Sequence, residues 1–210
     1  MLNNITKGHK TYGGARPITS GINWALLPVG YSVDPSVVPD IDKGHLPAGM
    51  LLVRNDVNHS AVPFKTAKVV SQSGTKITIP LVDGFCLSPF VVGDYIMKLG
   101  ADFTTAGTGV KITAIDEVSG ATQITTATSL TLSADDVIIN CDSAGKPFGD
   151  PNAMLYTDVA KDNDSIAINV TAAIGLLDSV IFENRIPVIP DLAKASLLKA
   201  GCNFTFSNSK

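Results

Sequence analysis

The chain has 210 residues, 45% of them hydrophobic and only 17% charged, with a net charge of -3. That length suits one sizeable domain or two small ones, and the charge balance argues against a sequence-independent nucleic-acid binder, which needs clustered Lys and Arg to displace counterions. It has no run of about 18 apolar residues for a membrane span, and the opening MLNNITKGHK lacks the basic-then-apolar order of a secretory signal.

Residues 1–45 read as an extended arm. Gly8, Gly13, Gly14, Pro17, Gly21, Pro28, Gly30, Pro35 and Pro39 interrupt any helical or alternating pattern. The segment is nevertheless apolar: Ile18, Ile22, the single tryptophan Trp24, Leu26, Leu27, Val29, Tyr31 and Val33 lie in it. An extended segment with apolar anchors must lay them on something, either its own core or a neighbouring molecule. Arg16, Ile18, Ile22, Trp24, Leu26, Leu27 and Tyr31 are therefore the candidate contact residues, toward another subunit or another neighbouring molecule.

Residues 46–150 predict a β-rich body. Met50-Leu51-Leu52-Val53 is a short strand closed by the turn residues Asn55-Asp56-Val57-Asn58. Ala61-Val62-Pro63-Phe64, Ala67-Lys68-Val69-Val70 and the alternating Lys76-Ile77-Thr78-Ile79 follow. Phe90 to Met97 is an apolar run kinked at Gly93-Asp94, and Val110 to Ile115 pairs across Asp116-Glu117-Val118-Ser119-Gly120 with Gln123-Ile124-Thr125. Ser129-Leu130-Thr131-Leu132 and Val137 to Cys141 complete the set. Strands at intervals of about ten residues predict a mainly β fold, with short antiparallel strands forming a small barrel, of about five strands, or a sandwich.

Residues 151–210 predict a C-terminal β segment with one short helix. Ser165 to Thr171 alternates, Thr171 to Gly175 fits strand or loop, and Asn203 to Phe206 reads as a last strand. Between them Pro187 and Pro190 mark a rigid piece, and Asp191 is placed to cap a helix through Leu192, Ala195, Leu198 and Lys199 that Gly201 stops.

Reactive groups are sparse. His9, His45 and His59 all sit beside turn residues, and a metal site from His45 and His59 with Asp42 or Asp56 has no helical register to build it. Asp83, Asp94, Asp135, Asp136 and Asp142 offer carboxylate pairs for acid–base work, but adjacent Asp135 and Asp136 would point to opposite faces of a strand and suit a turn better. Gly107-Thr108-Gly109 lacks the Lys-Ser/Thr and helix of a phosphate loop and suits a hairpin turn. Cys86, Cys141 and Cys202 show no metal spacing and no neighbouring histidine, so they read as buried free thiols. No catalytic residue, metal or cofactor is expected.

The stretches "HLPAGMLLVRNDVNHSAVPFKTAKVV" (45–70), "FVVGDYIMKLGA" (90–101) and "VKITAIDEVSGATQITTATSLTLSADDVI" (110–138) share a grammar: a Pro-Ala-Gly opening strand, a KTAKV strand, a VGDYI strand and a paired hairpin. The tail "RIPVIPDLAKASLLKAGCNFTF" (185–206) adds a Pro-rich segment, a short helix and a closing strand. This layout resembles the head fibre and head decoration proteins of tailed bacteriophages, above all those of phages of gut Bacteroidetes, over Leu46 to Phe206. The resemblance implies a non-enzymatic virion protein, made in the host cytoplasm and docked on the capsid surface. It also implies two partners, the major capsid protein and further copies of itself in a homotrimer, with no nucleic acid and no membrane. The competing reading is a carbohydrate- or receptor-binding β module of a phage fibre. It would use exposed aromatics, for which Tyr12, Tyr31, Tyr95 and Tyr156 are candidates. A polysaccharide hydrolase is a third class, with no residue pattern in its favour.

Overall fold

A computed structural model describes residues 18–19, 24–41, 43–81, 88–162 and 167–207. The fold is mainly β, built from short, mostly antiparallel strands, with a helix near the C-terminus. The chain opens with β1 (Trp24–Leu26) and β2 (Tyr31–Val33), then a 3-10 turn over Pro35–Val37 that Asp34 caps by accepting a bond from the Ser36 N–H at 2.8 Å. A hairpin of β3 (Leu51–Asn55) and β4 (Ser60–Phe64) follows. Its turn is shaped by the Asn55 side chain, which accepts from the Val57 N–H at 2.9 Å.

One residue, Lys65, then separates β4 from β5 (Thr66–Lys68), and the chain passes into a second sheet. That sheet contains β6 (Ser71–Ser73), β7 (Lys76–Pro80), β8 (Tyr95–Lys98), β9 (Val110–Val118), β10 (Ala121–Thr126) and β11 (Val137–Cys141), in the order β5-β11-β8-β9-β10-β7-β6. Its two end strands are consecutive in sequence. Val69 donates to Asp136 on the β11 side, and Val70 donates to Thr78 on the β7 side. The sheet therefore curls round toward a seam at the Val69–Val70 bend into a half-barrel of seven strands, where the sequence suggests a barrel of about five. Strands β8, β9 and β10 form a meander and β11 returns beside β8, a Greek-key order. Alternate residues of these strands, among them Ile77, Ile79, Ile96, Val110, Ile112, Ile124 and Ile138, fill its interior.

The chain then returns to the first sheet with β12 (Ala153–Leu155), β13 (Ile168–Val170) and β14 (Ala172–Leu176). This sheet runs β1-β14-β12-β3-β4-β2-β13. It curls in the same manner, because β13 and β14 are one strand bent at Thr171. Ser32 of β2 meets Ser60 of β4 in a parallel bridge and donates to the His59 carbonyl at 2.8 Å. One face, with Met50, Leu52, Ala61 and Leu155, encloses a core with Tyr31 and Val33. The opposite face presents Leu51, Phe64 and Met154 to the outside of the barrel, where Met97, Ile139 and Cys141 meet them. Ile138 and Ile139 are neighbours in β11 yet belong to different cores, which is what a strand buried on both faces requires.

The shared core is closed by β15 (Ile181–Phe182), α1 (Asp191–Lys199) and β16 (Phe206–Ser207), with Ala193 and Leu197 pointing inward. The helix ends in a Schellman arrangement: Cys202 N–H donates to Leu197 O at 2.9 Å and Gly201 N–H to Leu198 O at 3.0 Å, with Gly201 at φ 79°. Its start differs from expectation. Pro190 is the cap residue, and Asp191 is the first helical residue, where its charge complements the helix dipole without a capping bond. Ser129 to Leu132 is not a strand. The Gln72 side chain takes the place of a partner strand there, donating to the Leu130 carbonyl and accepting from the Leu132 N–H at 2.9 Å. Gly107-Thr108-Gly109 is not a hairpin turn either. It lies along Gly145, to which Gly107 donates at 2.8 Å, so close that a side chain at Gly145 would strike the Gly107 carbonyl.

Lys65 has no exposed surface, and its Nζ lies 2.5 Å from Asp94 Oδ2. Lys65→Met leaves the Asp94 carboxylate buried without its cation. The expected loss in a urea melt is about 3–5 kcal/mol.

Candidate functional site

The apolar arm is the feature for which the sequence expects a partner. In the structure its described part zips along the chain segment from 168 to 182. Tyr31, Ser32 and Val33 pair with Val170, Asn169 and Ile168. Trp24, Ala25 and Leu26 pair with Leu176, Gly175 and Ala173. Thr19 bridges Ile181, and Phe182 N–H donates to the Ile18 carbonyl at 2.9 Å. Along this ribbon the two residue numbers sum to 200 within one, with a register shift between Ala25 and Leu26, so every pair is antiparallel but the register steps along it. Leu27 N–H still donates to the Ala172 carbonyl at 2.9 Å, and the larger interruption is Pro28-Val29-Gly30, which bulges out opposite Thr171. Pro28 has no N–H to give a ladder, which is why the regular pairing breaks there.

The ribbon sorts the candidate contact residues. Tyr31 is buried in its own chain. Trp24 is half-buried and stands edge-on to Tyr156, with ring centroids 5.4 Å apart. Leu27 and Ile18 are half-buried against the two cores. Leu26 keeps 38% of its surface exposed, Val29 45%, and Leu177, just past the paired Leu176, 58%. Arg16 and Ile22 lie outside the described residues, as do His9, Tyr12, Asp42, Asp83 and Cys86. Sequence reasoning missed Leu177. Its signal is a second leucine at the end of an apolar strand, one position out of phase with the buried face.

A polar latch ties the arm to the β3–β4 hairpin. The Tyr31 hydroxyl donates to Asp56 Oδ1 at 2.6 Å, and the Arg54 guanidinium holds both oxygens of the same carboxylate. The Tyr31 bond first, and Arg54 second, hold the Asp56 carboxyl below the usual carboxylate range. Burial, then the bond to Asp56, push the Tyr31 phenol up. Arg54 is itself anchored, its backbone N–H donating to Asn152 Oδ1 at 2.8 Å.

The other candidates have structural surroundings. His45 is buried beside Asp158, and burial pushes its imidazole pKa down. His59 is exposed at the hairpin tip with φ 49°. Asp94 faces Lys65. Asp135 pairs with Lys68 and Asp136 with Lys98, each at 2.7 Å. Asp142 accepts the Ala144 and Lys146 N–H groups at 2.9 and 2.8 Å and so shapes a turn. Burial pushes the Cys141 thiol up to about 12 and raises that of Cys202, the reverse of what a nucleophile needs. Among the described residues no three His, Cys, Asp or Glu side chains gather as metal ligands. A cleft of about 400 Å³ lies between the Pro39 turn and β9, with Val38, Phe90 and Val92 on its walls; Lys43 and Lys161 at its rim both pair with Asp40, at 3.0 and 3.3 Å.

No family model, curated protein or solved structure matches the chain.

Tyr31→Phe removes one charge-assisted bond at a partly exposed site and is expected to cost about 1 kcal/mol. The Asp56 share of stability is complete above the ordinary Asp value near about 3.9 and is lost as pH falls through its lower folded value. Acid unfolding of Asp56→Asn should therefore show a shallower pH dependence in that window than the wild type.

Proposed function

We propose that the chain is a non-enzymatic virion structural protein, a capsid-bound head fibre or decoration protein that docks on the assembled phage head as a homotrimer. The major capsid protein and further copies of the chain are its partners. The observation that carries this reading is the apolar surface left along the arm ribbon, where Leu26 of β1, Val29 of the bulge and Leu177 just past β14 stand exposed beside strands anchored from within.

The energetics favour such a ridge as a contact. Fixing a free arm costs roughly 1–2 kcal/mol per residue of backbone, which would cancel most of the gain from burying its side chains. Residues 24–33 are already ordered by β14, β13 and β4. Docking them avoids that cost and keeps about 1.5–3 kcal/mol for each large apolar side chain fully covered. A trimer carries three such ridges, and their effective concentration turns a weak contact into a firm one. The same layout and the resemblance over residues 46–206 point to a body that holds position while the arm side makes contact.

The test is the mass in solution together with co-sedimentation on phage heads lacking the protein. The wild type should run at three times the 21.9 kDa chain mass and pellet with heads. Leu26→Asp with Leu177→Asp should stay folded and lose both properties. A monomeric wild type that binds heads at full avidity overturns the coupling of trimer and docking, and absence of head binding overturns the reading itself.

A further inference from the structure

We propose that Lys65 and Asp94 condense into an isopeptide bond, an internal amide cross-link at the waist between the two curled sheets. The site is built for close approach. Lys65 Nζ is 2.5 Å from Asp94 Oδ2, the lysine side chain is wholly buried, and the aspartate side chain is 8% exposed. The Val91 N–H donates to the same carboxylate oxygen at 2.9 Å and polarises the carboxyl group.

Both backbones are clamped. Asn140 of β11 accepts the Lys65 N–H on its side-chain oxygen at 2.8 Å, donates its own N–H to the Lys65 carbonyl at 3.2 Å, and donates its side-chain N–H to Pro63 O at 2.8 Å. On the other side Ile112 N–H donates to the Asp94 carbonyl at 2.8 Å, and Gly93, at φ 106°, donates to Ile112 O at 3.0 Å. Holding both groups in place on rigid elements removes most of the entropic cost of bringing them together.

The chemistry needs no added reagent. The ammonium passes one proton to the carboxylate, giving a neutral amine and a neutral acid. The amine lone pair attacks the Asp94 Cγ, the C–N bond forms, and the carboxyl hydroxyl leaves with a proton from the nitrogen as one water molecule. Burial already lowers the lysine pKa and so favours the neutral amine. The product replaces two desolvated charges, which are costly to bury, with a neutral amide. A dry site also keeps water from reversing the step.

Intact-mass spectrometry of the denatured full chain decides the matter. The wild type should be lighter than its sequence mass by one water, and Lys65→Arg and Asp94→Ala should each have their full mass. Tryptic digestion supplies a readout that does not need a folded variant: the peptides carrying Lys65 and Asp94 should emerge joined, with no cleavage after Lys65. A wild-type chain of full sequence mass, cut by trypsin after Lys65, overturns the proposal. This outcome is independent of head binding.

Discussion

A lysine with no solvent contact faces an aspartate at the single residue that joins β4 of one curled sheet to β5 of the other, and the rest of the architecture depends on that meeting. Polar groups of this kind are stable in an interior only when each meets its partner, as an ion pair or joined as an amide, so the pair tolerates a single arrangement of its surroundings. Lys65 brings the end of β4, Asp94 brings the approach to β8, and Asn140 brings β11. Fixing these three fixes how the first sheet leans on the barrel. It also sets which residues of β8 and β11 face the barrel interior and which face the shared core.

That division is what lets a chain of this size enclose several small cores instead of one large one. Period-two alternation sends Ile96 and Ile138 into the barrel and their neighbours Met97 and Ile139 into the layer under the helix. The high apolar content of the sequence is spent on strands buried on both faces, which explains a composition poor in charge. The surplus that reaches solvent is uneven, and part of it lies along the arm ribbon.

Much of the secondary structure is legible in the sequence because its signals are local. The turn at Asn55 to Asn58, the hairpin at Ser119-Gly120 and the Gly201 helix stop are each written within a few residues. The arm is a different case. Gly and Pro at Pro28 and Gly30 forbid a continuous strand, and they do mark a real break. They do not reveal that the pieces on either side pair with one partner some 140 residues further on, since pairing at that distance leaves no local trace. The candidate contact residues were drawn from one contiguous arm, and the ribbon splits them between inside and outside. The Lys65 pair has a faint signal, a lysine directly after the apolar Ala61-Val62-Pro63-Phe64, which reads as an ordinary strand residue beside the exposed Lys68.

The three-residue bulge at Pro28 to Gly30 has a mechanical meaning. A plain two-stranded ribbon slides by two residues without turning any side chain to the wrong face. Here a slide would drive the proline-bearing loop into a ladder that demands N–H donors, and would pull Tyr31 off Asp56. The arm is keyed like a toothed strap: it peels from an end, but it does not creep, and a pull along its length meets every rung at once.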